Sequence, residues 1–224
     1  MSKTPQIPLP LGFARHTLAS YISGECNQAA IDLVLGWPSW RTPVVYVHGP
    51  AACGKTHLAR VWAEDRADAT VIAAEEIGAR SLAGLLKVGR LAVDGIERLA
   101  SEEALFHIAD DVMIMGGSLL LTGRQAPGAL SLALPDLKTR LVAATAVEIT
   151  APDEKFLGQL LLRLAEEVQI AMDPALAAFC VSRMERTHLA AVNLIAALDQ
   201  RSLAAGKGVS RDMAAAVLDE LARP

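Results

Sequence analysis

One stretch rules this sequence: Val-Val-Tyr-Val-His-Gly-Pro-Ala-Ala-Cys-Gly-Lys-Thr-His, residues 44–57. Apolar and β-branched residues run straight into Gly49, Pro50, Ala51, Ala52, Cys53, Gly54, Lys55 and Thr56. That is the spacing G-x-x-x-x-G-K-[ST] of a phosphate-binding loop. A buried strand before it and helical spacing over 57–65 after it supply the context such a loop needs. With glycine near 7% of residues, a chance match in a chain this long is roughly a one-in-a-hundred event.

The chemistry explains the spacing. Phosphates need several backbone N–H donors turned inward at once. Gly49 and Gly54 let the chain bend and approach closely, with no Cβ in the way. A helix opening at Lys55 turns its free N–H groups and positive dipole end toward the anion. Lys55 is placed to reach the outer phosphates, and Thr56 to put its hydroxyl on Mg²⁺.

The 224 residues suffice for one large domain, or one domain and a small second one. At 52% hydrophobic and 21% charged they provide a packed core. A free-standing nucleic-acid binder usually carries a basic patch, and a net charge of −4 does not demand one. No apolar run is long enough to span a bilayer, and the N-terminus has no signal-peptide core. Cys26, Cys53 and Cys180 are scattered and odd in number, as suits reduced thiols in the cytoplasm. Within the loop, Cys53 is either redox-sensitive or simply a small residue at a variable position.

Residues 1–15 carry Pro5, Pro8 and Pro10 and are expected to be extended, polyproline-like chain. They contain Gln6, Ile7, Pro8, Leu9, Pro10 and Leu11. Such apolar residues either dock in a partner's groove or pack along their own domain. Helical spacing covers 25–36, and a loop follows at 37–42. Beyond the phosphate loop, strands are expected at 70–74, 90–94, 118–122 and 147–149, with helices at 75–87, 102–115 and 135–142. Strands alternating with helices imply a parallel sheet covered on both faces. After Pro152 the pattern is helical throughout: 153–169, 173–184, 189–205 and 210–221. Asp153 and Ser210 are expected N-caps, and Asp173-Pro174 is an N-cap followed by proline at the first helical position. The expected organisation is an N-terminal peptide (1–15), an α/β nucleotide-binding domain (16–152) and a helical lid (153–224).

Hydrolysis needs more than the loop: an acid on a neighbouring strand to hold metal, and a group to orient water. Asp94, ending the apolar run Arg-Leu-Ala-Val-Asp, fits the first role. Where a second acid often follows at once, this chain has Gly95. Glu97 is the nearest carboxylate and is expected past the strand end, pointing elsewhere.

The order of the phosphate loop, the 90–94 strand, Ser-Leu-Leu-Leu-Thr-Gly at 118–123 and Leu-Pro-Asp-Leu-Lys-Thr-Arg-Leu at 134–141, then four helices, resembles the DnaA branch of AAA+ proteins. Pro127, and Ser23-Gly24 followed by Asn27-Gln28, match motifs of the same family. The resemblance covers nearly the whole chain. Because the chain stops after the lid, it is most similar to the short, Hda-like members, regulatory inactivators of DnaA that lack the DNA-binding domain. Their N-terminal Q-L-x-L-P-L peptide docks on the DNA polymerase sliding clamp. Gln6, Ile7, Leu9, Pro10 and Leu11 match it, with Ile7 in place of Leu.

The resemblance implies roles. ADP or ATP with Mg²⁺ is held by the loop from Gly49 to Thr56, with Thr56 and Asp94 at the metal. Arg140 is an arginine finger supplied in trans to a neighbouring DnaA subunit, where such a finger can be worth about 10³–10⁵ in rate. Thr122 senses the γ-phosphate. The lid arginine of the family falls at Arg186, Thr187 or Leu189, and Arg186 alone has the right chemistry. There are departures: Gly95, and Arg124 where the family has an acid two positions past the threonine. Together they imply weak intrinsic ATPase and a structural or switching nucleotide site. The partners implied are DnaA and the sliding clamp. Pairing of two copies through the finger face is expected as well, and sequence-specific DNA binding is not. Two rivals are an independent AAA+ ATPase such as a helicase loader, and a DnaA-binding scaffold without finger chemistry.

Overall fold

Alternate residues of each apolar run face opposite ways, which is what builds a sheet buried on both sides. The computed structural model describes residues 18–64, 68–78 and 89–223. In it β1 (Val44–His48), β2 (Ala69–Ala73), β3 (Arg90–Asp94), β4 (Ser118–Gly123) and β5 (Thr145–Glu148) form one parallel sheet, in the order β2-β3-β4-β1-β5. The central strands are almost wholly buried, whereas β2 and β5, at the edges, are not.

Val44, Tyr46, Leu91, Val93, Leu119 and Leu121 face one layer, made by α3 (Glu102–Ile114) and α4 (Pro135–Ala143). Val45, Val47, Ala92 and Leu120 face the other, made by α1 (Gln28–Leu35) and α2 (Lys55–Ala63). A tie across the first layer fixes where α4 begins. The Glu102 carboxylate accepts from the backbone N–H groups of Ala133 (3.0 Å) and Leu134 (2.7 Å).

The C-terminal helices α5 (Glu154–Glu167), α6 (Pro174–Val181), α7 (His188–Ala205) and α8 (Arg211–Leu221) bury their own core, including Leu161, Cys180, Leu194 and Val217. Asp153, Asp173 and Ser210 cap α5, α6 and α8 as expected, each side chain accepting from a first-turn N–H. Thr187 caps α7 in the same way.

Most boundaries shift by one to three residues from expectation, and three of the differences have a clear origin or bear on the site. β5 runs Thr145–Glu148, earlier than 147–149, because its register on β1 pairs Val45 with Thr145. The helix expected at 75–87 begins as a 3-10 turn, Ala74–Glu76, and 79–87 lies outside the described residues. α7 starts at His188, since Thr187 is its cap. The peptide 1–15, with Gln6 to Leu11, also lies outside the described residues.

Candidate nucleotide-binding site

In a parallel sheet the crevice lies at the carboxyl ends of the strands, where the strand order reverses. β1 sits at that point, between β4 and β5, and Gly49 follows it directly. Gly49 (φ 152°) and Gly54 (φ 92°) adopt backbone that favours glycine, and Ala52 sits at φ 61°. Added Cβ atoms would lie 2.5 Å from the Ile149 carbonyl oxygen at Gly49 and 3.1 Å from the Tyr21 hydroxyl at Gly54. α2 opens at Lys55 with Gly54 as its cap and no side chain on its first N–H groups, which leaves them to the loop's concavity. Lys55 Nζ donates to the carbonyls of Gly49 (2.9 Å) and Pro50 (2.7 Å) and lies 3.4 Å from Cys53 Sγ.

The sheet register sets Asp94 beside Thr122, and the two are joined. Thr122 Oγ1 donates to Asp94 Oδ1 at 2.5 Å and accepts from Gly95 N–H at 3.1 Å. Thr56 Oγ1 donates to Asp94 Oδ2 at 2.8 Å. A threonine hydroxyl against a carboxylate oxygen, at the mouth of a phosphate loop, is a hard oxygen pair that fits Mg²⁺ completed by phosphate and water. Among the described residues no group of three or more His, Cys, Asp or Glu side chains could hold a metal by itself. Thr122 is 1% exposed with its donor spent on Asp94, so its hydroxyl orients the Asp94 carboxylate.

The departures from a hydrolytic site are visible as contacts. Gly95 is left-handed (φ 81°), and a Cβ there would lie 2.7 Å from Arg98 Nη2. Glu97 lies past the strand end, in the 3-10 turn Ile96–Arg98. It turns to the end of β4, pairing with Arg124 Nε at 3.2 Å and accepting from the Arg124 N–H at 3.3 Å. The two unusual residues neutralise each other.

Cys53 is buried, and burial pushes its thiol up despite the neighbouring Lys55. That favours the small-residue reading over a reactive thiol.

Beside the loop is a cavity of about 150 Å³, lined by Tyr21, Cys53, Gly54, His57, Phe156 and His188 among others. Four of these, Tyr21, His57, Phe156 and His188, escaped the sequence reading. The turn at Ser23-Gly24 explains how Tyr21 gets there. Asn27 Oδ1 accepts from Gly24 N–H (2.9 Å) and Asn27 Nδ2 donates to Ile22 O (2.8 Å). Tyr21 then meets the His57 ring edge-on at 5.1 Å, and Ser20 Oγ lies 3.1 Å from His57 Nε2. From the lid, Phe156 meets His188 edge-on at 5.4 Å. His188 is 2% exposed and neither ring nitrogen has a hydrogen-bond partner. Burial, and then Lys55, hold its pKa below the usual histidine value.

The structure does not bring Arg186 to this cavity. Its guanidinium pairs with Glu154 at 2.5 Å on the surface, 68% exposed. The physical reason is register: Thr187 caps α7, so His188 is the first helical residue on the cavity side and Arg186 is left outside the helix. Arg140, in the last turn of α4, pairs with Asp110 and lies 4.9 Å over the Phe106 ring. It therefore sits in the layer on the opposite sheet face from α2 and the loop.

No protein-family profile matches the chain. It is 22% identical over 218 residues to an uncharacterized protein of Haemophilus influenzae, covering 92% of this chain and 94% of that one. Among solved structures, domain III of the Thermotoga maritima replication initiation protein DnaA superposes with a TM-score of 0.80 at 19% identity, over 99% of this chain and 100% of that one. AMPPCP-bound DnaA from Aquifex aeolicus gives 0.67 at 19%, over 85% of this chain and 65% of that one. The Thermotoga maritima RuvB Holliday junction branch migration motor gives 0.66 at 22%, over 92% and 72%. The fold is thus that of the AAA+ α/β domain of DnaA and RuvB, a five-stranded parallel sheet followed by C-terminal helices.

Proposed function

We propose that this chain is an Hda-like regulator of replication initiation, which binds ADP or ATP with Mg²⁺ and stimulates ATP hydrolysis by DnaA. The observation that carries this reading is a separation. The residues able to hold nucleotide and metal, Lys55, Thr56 and Asp94, cluster at one mouth of the sheet, while Arg140 stands on the opposite face. An arginine so placed serves a neighbour's nucleotide and not its own.

In the chain's own site, phosphate would take over the Lys55 donors now given to Gly49 and Pro50. Bound Mg²⁺ would supply charge neutralisation between the outer phosphates, held at Thr56 and Asp94, with Thr122 fixing the carboxylate. Glu97, the nearest carboxylate in sequence, is tied to Arg124 and not turned to Asp94 to orient water, so own turnover is weak. At the neighbour, Arg140 would leave Asp110 and meet charge developing on the γ-phosphate. The Arg140–Asp110 pair is partly exposed, so giving it up together with the Phe106 ring costs about 1–2 kcal/mol. A finger's gain of about 10³–10⁵ corresponds to roughly 4–7 kcal/mol. The exchange favours the finger.

The sliding clamp would recruit the chain through Gln6, Ile7, Leu9, Pro10 and Leu11, in the cytoplasm, with 16–152 acting as the nucleotide-binding domain and 153–224 as the lid. No described helix is long and apolar enough to cross a membrane. The test is to mix wild type or Arg140→Ala with DnaA preloaded with ATP, and to follow both hydrolysis and complex formation. Wild type should accelerate hydrolysis, and Arg140→Ala should bind DnaA without accelerating it. Acceleration by Arg140→Ala would support the scaffold reading, and equal turnover with DnaA left out would support the independent ATPase.

A further inference from the structure

The polar groups that the lid offers to the nucleotide cavity sort by whether they are already satisfied. Arg163 lines the cavity; its Nη1 is committed to Glu166 on its own helix at 2.9 Å, while its buried Nε, 3.4 Å from Glu167, makes no hydrogen bond. Arg186 is held outside by Glu154. His188 lines the cavity, is 2% exposed, and neither of its ring nitrogens has a partner. A buried polar group left unpaired is costly, and where one lines a ligand cavity the ligand is the natural partner.

The surroundings say which part of a nucleotide it meets. Tyr21 and His57 form an aromatic wall at one end, suited to a base. Cys53, Gly54 and Lys55 mark the phosphate end, and Lys55 is close enough to act on the His188 charge. His188, from the lid, lines the same cavity beside Phe156.

We propose that His188 is the lid's nucleotide-binding residue, its imidazole hydrogen-bonding the sugar and innermost phosphate of an adenine nucleotide. This rests on the nucleotide-binding reading of the same site. Burial, the Lys55 charge and the start of α7 beneath the ring all favour the neutral form, so the contact is a hydrogen bond and not an ion pair. A short neutral side chain at the inner phosphate cannot follow the γ-phosphate as a long lid arginine can. The lid of this protein therefore closes on ADP and ATP alike, and the site retains nucleotide after hydrolysis.

The experiment is calorimetric titration of the full chain with ADP and with ATP, each with Mg²⁺, on wild type, His188→Ala, His188→Gln and Lys55→Ala. His188→Ala should weaken ADP and ATP by the same factor, about 10–100-fold for the two lost hydrogen bonds. His188→Gln, which keeps a neutral donor and acceptor, should restore both to within about threefold of wild type. Unchanged affinity in His188→Ala, with Lys55→Ala failing to bind, would overturn the His188 assignment and leave nucleotide binding standing. A loss confined to ATP, or a loss that His188→Gln does not restore, would also overturn it. A wild-type chain that binds neither nucleotide would instead sink the underlying reading.

Discussion

Thr56 Oγ1 donates to Asp94 Oδ2 across 2.8 Å, joining the first turn of α2 to the end of β3. The other oxygen of Asp94 takes the hydroxyl of Thr122, so this carboxylate is held from two sides before any metal arrives. Removing its charge while keeping its shape isolates the metal role. Asp94→Asn should lower the Mg²⁺-dependent part of ATP affinity about 10–100-fold. Binding measured in EDTA should change little. Equal loss with and without Mg²⁺ would show that Asp94 serves the loop's structure instead.

The loop's glycines are held by what surrounds them. At Gly49 a Cβ would press to 2.5 Å on the Ile149 carbonyl in a backbone (φ 152°) that other residues rarely adopt. Gly49→Ala should abolish nucleotide binding and lower stability, by about 1–3 kcal/mol on denaturant titration. Gly128→Ala, at a site with open space around the added Cβ, should do neither.

Burial raises the thiol pKa of Cys26, Cys53 and Cys180 above the ordinary value of 9.0, and raises the phenols of Tyr21 and Tyr46 as well. A group that ionises less readily when folded adds stability below its unfolded pKa and loses it as pH rises past that value. Thermal stability should therefore hold to about pH 9 and fall steadily above it. In the native chain the three thiols should react with a thiol reagent at pH 7.5 far more slowly than in urea. Fast native labelling of Cys53 would restore the redox reading.

The lid core and its surface should respond differently. Leu161 is fully buried among Leu157, Ala177 and Leu194, and Leu161→Ala should cost about 2–5 kcal/mol. Leu203, 73% exposed on α7, should tolerate Ser within about 0.5 kcal/mol. Urea titration reads both.

Asp110 holds Arg140 in the chain's own frame. Freeing the arginine should leave its service to a neighbour intact, so Asp110→Ala should preserve or raise the stimulation of DnaA hydrolysis. Loss of stimulation in Asp110→Ala, with the fold intact by circular dichroism, would mean that Asp110 is needed to aim the finger.

Much of this was readable in the chain because its signals are local. The loop's spacing, the alternation in Val44–His48 and Arg90–Asp94, and the caps Asp153, Asp173 and Ser210 each act within a few residues. What escaped depends on partners far apart in sequence. The Arg124–Glu97 and Arg140–Asp110 pairs span 27 and 30 residues and leave no periodic trace. His188 falls just outside the expected 189–205 helix and carries no local signal until the fold buries it against Phe156 with no partner for either nitrogen. Charge alone points to Arg186, but the Thr187 cap, which sets the start of α7, leaves Arg186 paired with Glu154 outside the helix and puts His188 first in it.

The most direct measurement is the rate of hydrolysis of DnaA-bound ATP in the presence of this protein, with and without DNA-loaded sliding clamp, beside Arg140→Ala and Gln6→Ala. The account expects a clamp-dependent acceleration that both variants lose, while Arg140→Ala still binds clamp and DnaA. No acceleration by wild type under any condition, or undiminished acceleration by Arg140→Ala, would contradict it.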